Sequence, residues 1–168
     1  VRHKKDYGKL SNQHVKELRV ATRKALNEKK EDFLDFALWK KENIVDASWD
    51  SPWGRGRPGW HIECSVMSQE TLGLPFDIHG GGSDLRFPHH DNEIAQSCCL
   101  IGKNIRPENF CRYWFHNGFV QVSGEKMSKS IGNIKLINTL LKNKSVQCIR
   151  LALLSSHYRQ PLNWTDNV

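Results

Sequence analysis

The feature that most constrains this chain is a short apolar run that meets three consecutive glycines. Residues 75–79 (Pro75-Phe76-Asp77-Ile78-His79) read as a strand that stops at Gly80-Gly81-Gly82. Ser83 and Asp84 then lead to a helix expected over 88–101, opened by Pro88 and closed by Gly102. Proline suits a first helical turn, where its missing N–H costs nothing, and glycine suits the residue after a helix. Residues 119–122 read as the next strand. Strand, glycine loop, helix and strand in that order make a βαβ unit, whose crossover implies a parallel sheet. The expected fold is therefore α/β.

Other elements are coarser. Ile62, Ser65, Val66 and Gln69 have helical spacing over 61–69. The stretch 131–157 reads as mostly helical, with Val146, Ile149, Leu153 and Leu154 on its apolar face. Ser11 is placed to cap a helix through Val15 and Leu18. Between Trp49 and Trp60 lie two prolines and three glycines, so a loop rich in Trp and Arg is expected there.

Composition narrows the classes. At 168 residues the chain predicts one domain, or one with a small appendage. With 38% hydrophobic and 26% charged residues it is neither a disordered nor a membrane-embedded sequence. No apolar run approaches the roughly 18–20 residues of a membrane helix. The polar start Val1-Arg2-His3-Lys4-Lys5-Asp6 has no signal-like segment behind it. Five cysteines without framework spacing point to a reducing compartment, so a cytoplasmic location is expected. The formal charge of +7 is compatible with a polyanionic partner, or simply with a basic soluble protein.

Three groups of residues carry chemistry. His89 and Glu93 are four apart and share a helix face, and Cys64 comes from another element. All three are acceptable zinc ligands, although a His-x-x-x-Glu pair is by itself often just a surface pair. His79-Gly80-Gly81-Gly82-Ser83-Asp84 stands at the carboxyl end of a strand, where α/β sheets bind ligands, with Asp84 able to accept from a ribose hydroxyl. A tight turn is the equal alternative. Lys126-Met127-Ser128-Lys129-Ser130 places two lysines three apart among hydroxyls, suited to a polyphosphate or to a plain basic loop.

Lys126-Met127-Ser128-Lys129-Ser130 is identical to the KMSKS signature of class I aminoacyl-tRNA synthetases. The segments Gly59-Trp60-His61-Ile62-Glu63-Cys64-Ser65, Phe76-Asp77-Ile78-His79-Gly80-Gly81-Gly82-Ser83-Asp84-Leu85 and Phe87-Pro88-His89-His90-Asp91-Asn92-Glu93-Ile94-Ala95-Gln96-Ser97 narrow it further. Together they resemble the cysteinyl-tRNA synthetase family, over essentially the whole chain. The resemblance implies one zinc ion held by Cys64, His89 and Glu93 and completed by the substrate's thiolate, which rejects serine without an editing site. It implies that Trp60 closes over cysteine and that His61, His79 and His90 line the same pocket. It places ATP at Gly80, Gly81, Gly82, Asp84 and Lys129, with Lys126 and Lys129 as the catalytic lysines and magnesium accompanying ATP. The implied partners are L-cysteine, ATP and tRNA(Cys). The implied reaction forms cysteinyl-adenylate and pyrophosphate, then transfers the cysteinyl group to the terminal ribose.

The same resemblance implies three segments. Residues 1–57 would be the end of the connective insertion and a linker loop. Residues 58–125 would be the C-terminal half of the Rossmann-like catalytic domain, its parallel sheet flanked by helices. Residues 126–168 would be the KMSKS loop and the start of the helical stem-contact region. These 168 residues hold no HIGH-type motif and not the family's other zinc cysteine, and the anticodon-binding domain that the resemblance implies is expected outside them. The expectation is thus a central fragment of a monomeric enzyme, with an apolar sheet edge exposed, unable alone to fold robustly or activate cysteine. Two alternatives are kept: the cysteine ligase of mycothiol biosynthesis, acting on an amino sugar, and a non-catalytic synthetase-like remnant.

Overall fold

The computed structural model describes residues 6–14, 30–42 and 47–165. The helix expected beyond Ser11 falls outside them. The chain forms two compact units, Val1–His79 with Leu85–Trp114, and Gly80–Asp84 with Phe115–Val168.

The first unit contains a small hairpin, β1 (Trp39–Lys41) against β2 (Gly56–Pro58), with Trp39 opposite Pro58 and Lys41 opposite Gly56. The Trp- and Arg-rich stretch is therefore not loop throughout. A three-residue edge strand tolerates a terminal proline, which a longer central strand would not. Gly59 follows, its N–H donating to the Leu38 carbonyl at 2.8 Å. A Cβ here would collide with the Ala37 carbonyl oxygen, so only glycine permits this approach. Gly59 is the extended N-cap of α1 (Trp60–Leu72), which Gly73 closes at φ +75° by donating to Gln69.

Strand β3 (Phe76–Gly82) does not stop at the glycines but runs through all three. Its partner is β4 (Cys111–Asn117), not the 119–122 segment. The Phe76 N–H donates to the Phe110 carbonyl, and Gly80 faces the carbonyl of Phe115, so the two strands run in the same direction. Between them comes a π-helical turn, Arg86–His90, in which Phe87 is extended, and then α2 (Asp91–Leu100). The regular α-helix thus begins at Asp91 rather than at Pro88, because the turn through His90 is π-helical; Phe87 is extended, as a residue before proline prefers. β3, α2 and β4 complete the βαβ unit. Ile78, Tyr113 and Phe115 remain exposed on these strands. The core of the first unit is built from Tyr7, Leu34, Phe76, Ile94, Ala95, Cys98, Ile105, Phe110 and Cys111.

In the second unit β5 (Val120–Val122) pairs antiparallel with β6 (Glu125–Lys126) and parallel with β7 (Leu162–Trp164). The expected long helical region resolves into two short helices, α3 (Ile137–Leu140) and α4 (Val146–Leu154). The break has a local cause. Ser145 is extended and caps α4, its Oγ accepting from the Cys148 N–H at 3.2 Å. The buried face of α4 is Ile149 and Ala152, packed with Leu162 and Trp164, whereas Val146, Leu153 and Leu154 are exposed. Among the described residues no helix is long and apolar enough to cross a membrane.

Gly118 tests the packing of this unit. A Cβ at this position would run into the backbone carbonyls of Gln160 and Arg159. Gly118→Ala is therefore expected to destabilise by about 1–3 kcal/mol, the usual cost of overpacking against backbone. Urea unfolding checks it: the midpoint should fall with an unchanged slope, and an unmoved midpoint would show that the Gln160 backbone yields freely.

Candidate functional site

In the first unit the first turn of α1 carries Trp60, His61 and, one turn on, Cys64. The π-helical turn and α2 carry His89, His90 and Glu93. The two helices pack together, and a buried Ser65 Oγ donates to Gln96 Oε1 at 2.7 Å between them. Glu93 is fully buried and sits between two imidazoles. His89 Nε2 lies 2.6 Å from one carboxylate oxygen and His79 Nε2 lies 2.8 Å from the other. Burial pushes the Glu93 carboxyl up, but the two histidines outweigh it and hold the group at about 2. It is therefore a carboxylate at neutral pH.

The other ring nitrogen of His89 faces His61, Nδ1 to Nδ1 at 2.7 Å. One of the two must then accept, so the pair excludes two protonated imidazoles. Burial lowers the pKa of His61, and the neighbouring His89 lowers it further. Trp60 lies over this pair, its ring centroid 4.2 Å from that of His89, while more than half of its surface faces solvent. An exposed aromatic over one buried and one half-buried imidazole can cover a small ligand.

Cys64 Sγ, a His89 nitrogen and a Glu93 oxygen all lie within 4.8 Å of one another. Thiolate, imidazole and carboxylate are the donor types that zinc accepts. Burial raises the Cys64 pKa, and Glu93 and Glu63 raise it further. A bound cation reverses that balance, since coordination favours the thiolate. The residues present therefore fit a divalent metal. A second trio, His79, His90 and Glu93, satisfies the same spacing and shares the carboxylate. His79 rests edge-on against Phe76, Phe110 and Trp114, with ring centroids 5.2–5.5 Å away, so its orientation is set by the core.

In the second unit Lys126 Nζ lies 3.0 Å from Asp84 Oδ2 and 3.9 Å from the ring centroid of Phe119. Both partners of the ion pair are about half exposed. The loop after Lys126 is folded by side chains. Ser128 N–H donates to Asn133 Oδ1 at 2.8 Å, and Asn133 Nδ2 donates back to the Lys126 carbonyl at 3.3 Å. Lys129 is exposed on this loop. A Cβ on Gly80 would meet its nearest atom at an ordinary 3.5 Å. Packing within the protein thus does not demand glycine there, which leaves a close-approaching ligand as a reason for it.

The profile of the tRNA synthetases class I (C) catalytic domain matches residues 1–168, the whole chain. The chain belongs to that family. A cysteine--tRNA ligase of Nitratidesulfovibrio vulgaris is 57% identical over 159 residues, covering 95% of this chain and 32% of that protein. The cysteine--tRNA ligase of Halalkalibacterium halodurans is 52% identical over 164 residues, 98% of this chain and 34% of that protein. That of Dichelobacter nodosus is 54% identical over 167 residues, 99% and 35% respectively. The chain thus spans about a third of the length of these relatives. Among solved structures, the LeuRS of Agrobacterium radiobacter, in a ternary LeuRS-tRNA-LeuAMS complex, superposes with a TM-score of 0.52 at 20% identity. The match covers 71% of this chain and 19% of that one and shows a shared fold.

In this class I synthetase domain Trp60, His61, Cys64, His79, His89, His90 and Glu93 come together in one unit. Asp84, Lys126 and the strand glycines Gly80, Gly81 and Gly82 belong to the other, as does Lys129. Sequence reading missed four contributors. Phe110 and Trp114 support His79, yet look like ordinary core residues. Asn133 folds the lysine loop and had a signal, since it follows Ile131-Gly132 directly behind the signature. Tyr7 contacts Asn92 from 85 residues away and has no local signal.

Proposed function

We propose that this domain is the zinc- and ATP-handling part of an enzyme that ligates L-cysteine to tRNA(Cys) through cysteinyl-adenylate. The observation that carries the reading is the convergence of Cys64, His89 and Glu93 within 4.8 Å, beneath Trp60 and beside His61. Names of relatives more than 50% identical support the same substrate. Cys64, His89 and Glu93 would hold zinc, which when bound supplies a Lewis-acid position that a thiolate occupies far better than a hydroxyl.

The chain's own residues do the rest. Trp60 covers the amino acid and limits water. His61, His79 and His90 shape the surrounding pocket, and His61, its pKa lowered by burial, accepts or donates without adding a fixed charge. Gly80, Gly81 and Gly82 allow the nucleotide to approach backbone closely, and Asp84 accepts from a ribose hydroxyl. Lys126 and Lys129 offset the charge that grows on the triphosphate, with magnesium accompanying ATP, as the cysteine carboxylate attacks the α-phosphorus and pyrophosphate leaves. The terminal ribose hydroxyl of the tRNA then attacks the cysteinyl carbonyl, and AMP leaves. We assign 1–57 to the end of a connective insertion and linker, 58–125 to the second half of the nucleotide fold, and 126–168 to the signature loop and stem-contact region.

Metal content and cysteine-dependent pyrophosphate–ATP exchange test the reading on the full-length protein that carries this domain. One zinc per chain is expected, lost in Cys64→Ser, with exchange supported by cysteine and at least a hundredfold less by serine. A zinc-free protein without exchange would overturn it. Stimulated AMP release on adding tRNA(Cys) identifies the second step.

A further inference from the structure

Three consecutive polar residues at the start of α2, Asp91, Asn92 and Glu93, are buried. Only Glu93 belongs to the metal-donor set. The other two are gripped by a segment some eighty residues earlier in the chain. Ser11 Oγ donates to Asp91 Oδ2 at 2.5 Å, and the Leu10 N–H donates to Asp91 Oδ1 at 3.3 Å. Tyr7 Oη donates to Asn92 Oδ1 at 2.5 Å, and the Tyr7 ring is itself buried, edge-on to Phe87.

This grip stands where a helix cap would otherwise act. His90, at the N-cap of α2, makes no side-chain cap hydrogen bond, and the turn before it is a wide one broken by the extended Phe87. The first turn of α2 is therefore oriented by contacts from other segments, the Tyr7 and Ser11 hydrogen bonds beside the His79 and His89 contacts of Glu93 and the Ser65–Gln96 bond. A helix turns as a rigid element, with about 100° between successive residues, so a rotation that moves Asp91 and Asn92 also moves Glu93. Metal affinity is sensitive to such displacement, because ligands must arrive within a few tenths of an ångström. Holding Asp91 and Asn92 at three points holds the Glu93 carboxylate where Cys64 and His89 can meet it.

We propose that Tyr7 and Ser11 are positioning residues for the metal site, acting on Glu93 through Asn92 and Asp91. The proposal rests on the reading that Cys64, His89 and Glu93 bind a metal. Both hydroxyls act through hydrogen bonds and neither belongs to a metal-donor group.

Cobalt(II) titration of the full-length protein tests it, read by visible absorbance and by the thiolate-to-cobalt charge-transfer band. The parent should bind one cobalt with a band that Cys64→Ser removes. Tyr7→Phe, which keeps the ring, and Ser11→Ala are each expected to weaken cobalt binding about tenfold, the low end for outer-shell partners. Ser11→Thr should restore the affinity by restoring the hydroxyl. Arg112→Ala, which removes only the exposed pair with Asp77, should leave it unchanged. Circular dichroism and urea midpoints recorded alongside separate positioning from stability. Lowered midpoints with parental cobalt affinity in Tyr7→Phe and Ser11→Ala would overturn the proposal while leaving the metal reading intact. A parent without a Cys64-dependent band would overturn the metal reading, and the proposal with it.

Discussion

Glu93→Ala is expected to abolish stoichiometric zinc binding and to cost the fold about 3 kcal/mol. Both effects follow from one position. The carboxylate is fully buried and bridges two imidazoles at 2.6 and 2.8 Å. Removing one partner of a buried charged pair typically costs about 3–5 kcal/mol, because the group left behind keeps its desolvation penalty. His79 keeps partial contact with solvent, so the low end applies. Glu93→Gln separates the two effects. It keeps the volume and an acceptor oxygen, so most of the stability should return. It removes the negative charge and one good donor, so zinc should not. Metal analysis after dialysis and a urea midpoint on each variant check this. An alanine variant that retained one zinc per chain would exclude Glu93 as a ligand and leave the His79–Glu93–His89 chain a purely structural feature.

Phe110→Ala is expected to be the most damaging change outside the donor set. Phe110 has no solvent exposure and packs edge-on to Phe76 and His79 and stacked on Trp114, with centroids 5.0–5.7 Å away. Its truncation should cost about 3–5 kcal/mol, the sum of lost transfer energy and the cavity left behind. It should also release His79, whose ring is aimed at Glu93 partly by that contact. Cobalt affinity should then fall in Phe110→Ala and be largely retained in Phe110→Leu, which fills most of the space. A loss under about 1 kcal/mol would mean that neighbouring aromatics collapse into the gap, a repacking that dense interiors seldom achieve.

Much of this protein was legible in its sequence, and the reasons are local. The signature at Lys126–Ser130, the glycines at 80–82 and the spacing of His89 and Glu93 are each contained within a few residues. Class I synthetase membership follows from the order of such motifs. The first strand and the helix of the βαβ unit were also legible, since they announce themselves by period and punctuation, but its second strand was not.

Tertiary structure decided the rest. The partner of β3 is β4, whose Cys111-Arg112-Tyr113-Trp114-Phe115 run lacks clean alternation, so its pairing rests on a neighbour rather than on its own pattern. The glycines continue the strand because the Phe76–Phe110 hydrogen bond sets the pairing and Phe115 lies beside Gly80. The 131–157 region breaks into two short helices because Ser145 caps one and the core takes only Ile149 and Ala152. The same holds at the site. Spacing gave His89 and Glu93, but their approach to Cys64 depends on how α1 packs on α2, and the second imidazole on Glu93 comes from a strand. Tyr7 and Ser11 reach Asn92 and Asp91 across 85 and 80 residues. Periodicity reports neighbours within a turn or two of chain. Contacts made by folding are set by packing between elements, and no single segment encodes them.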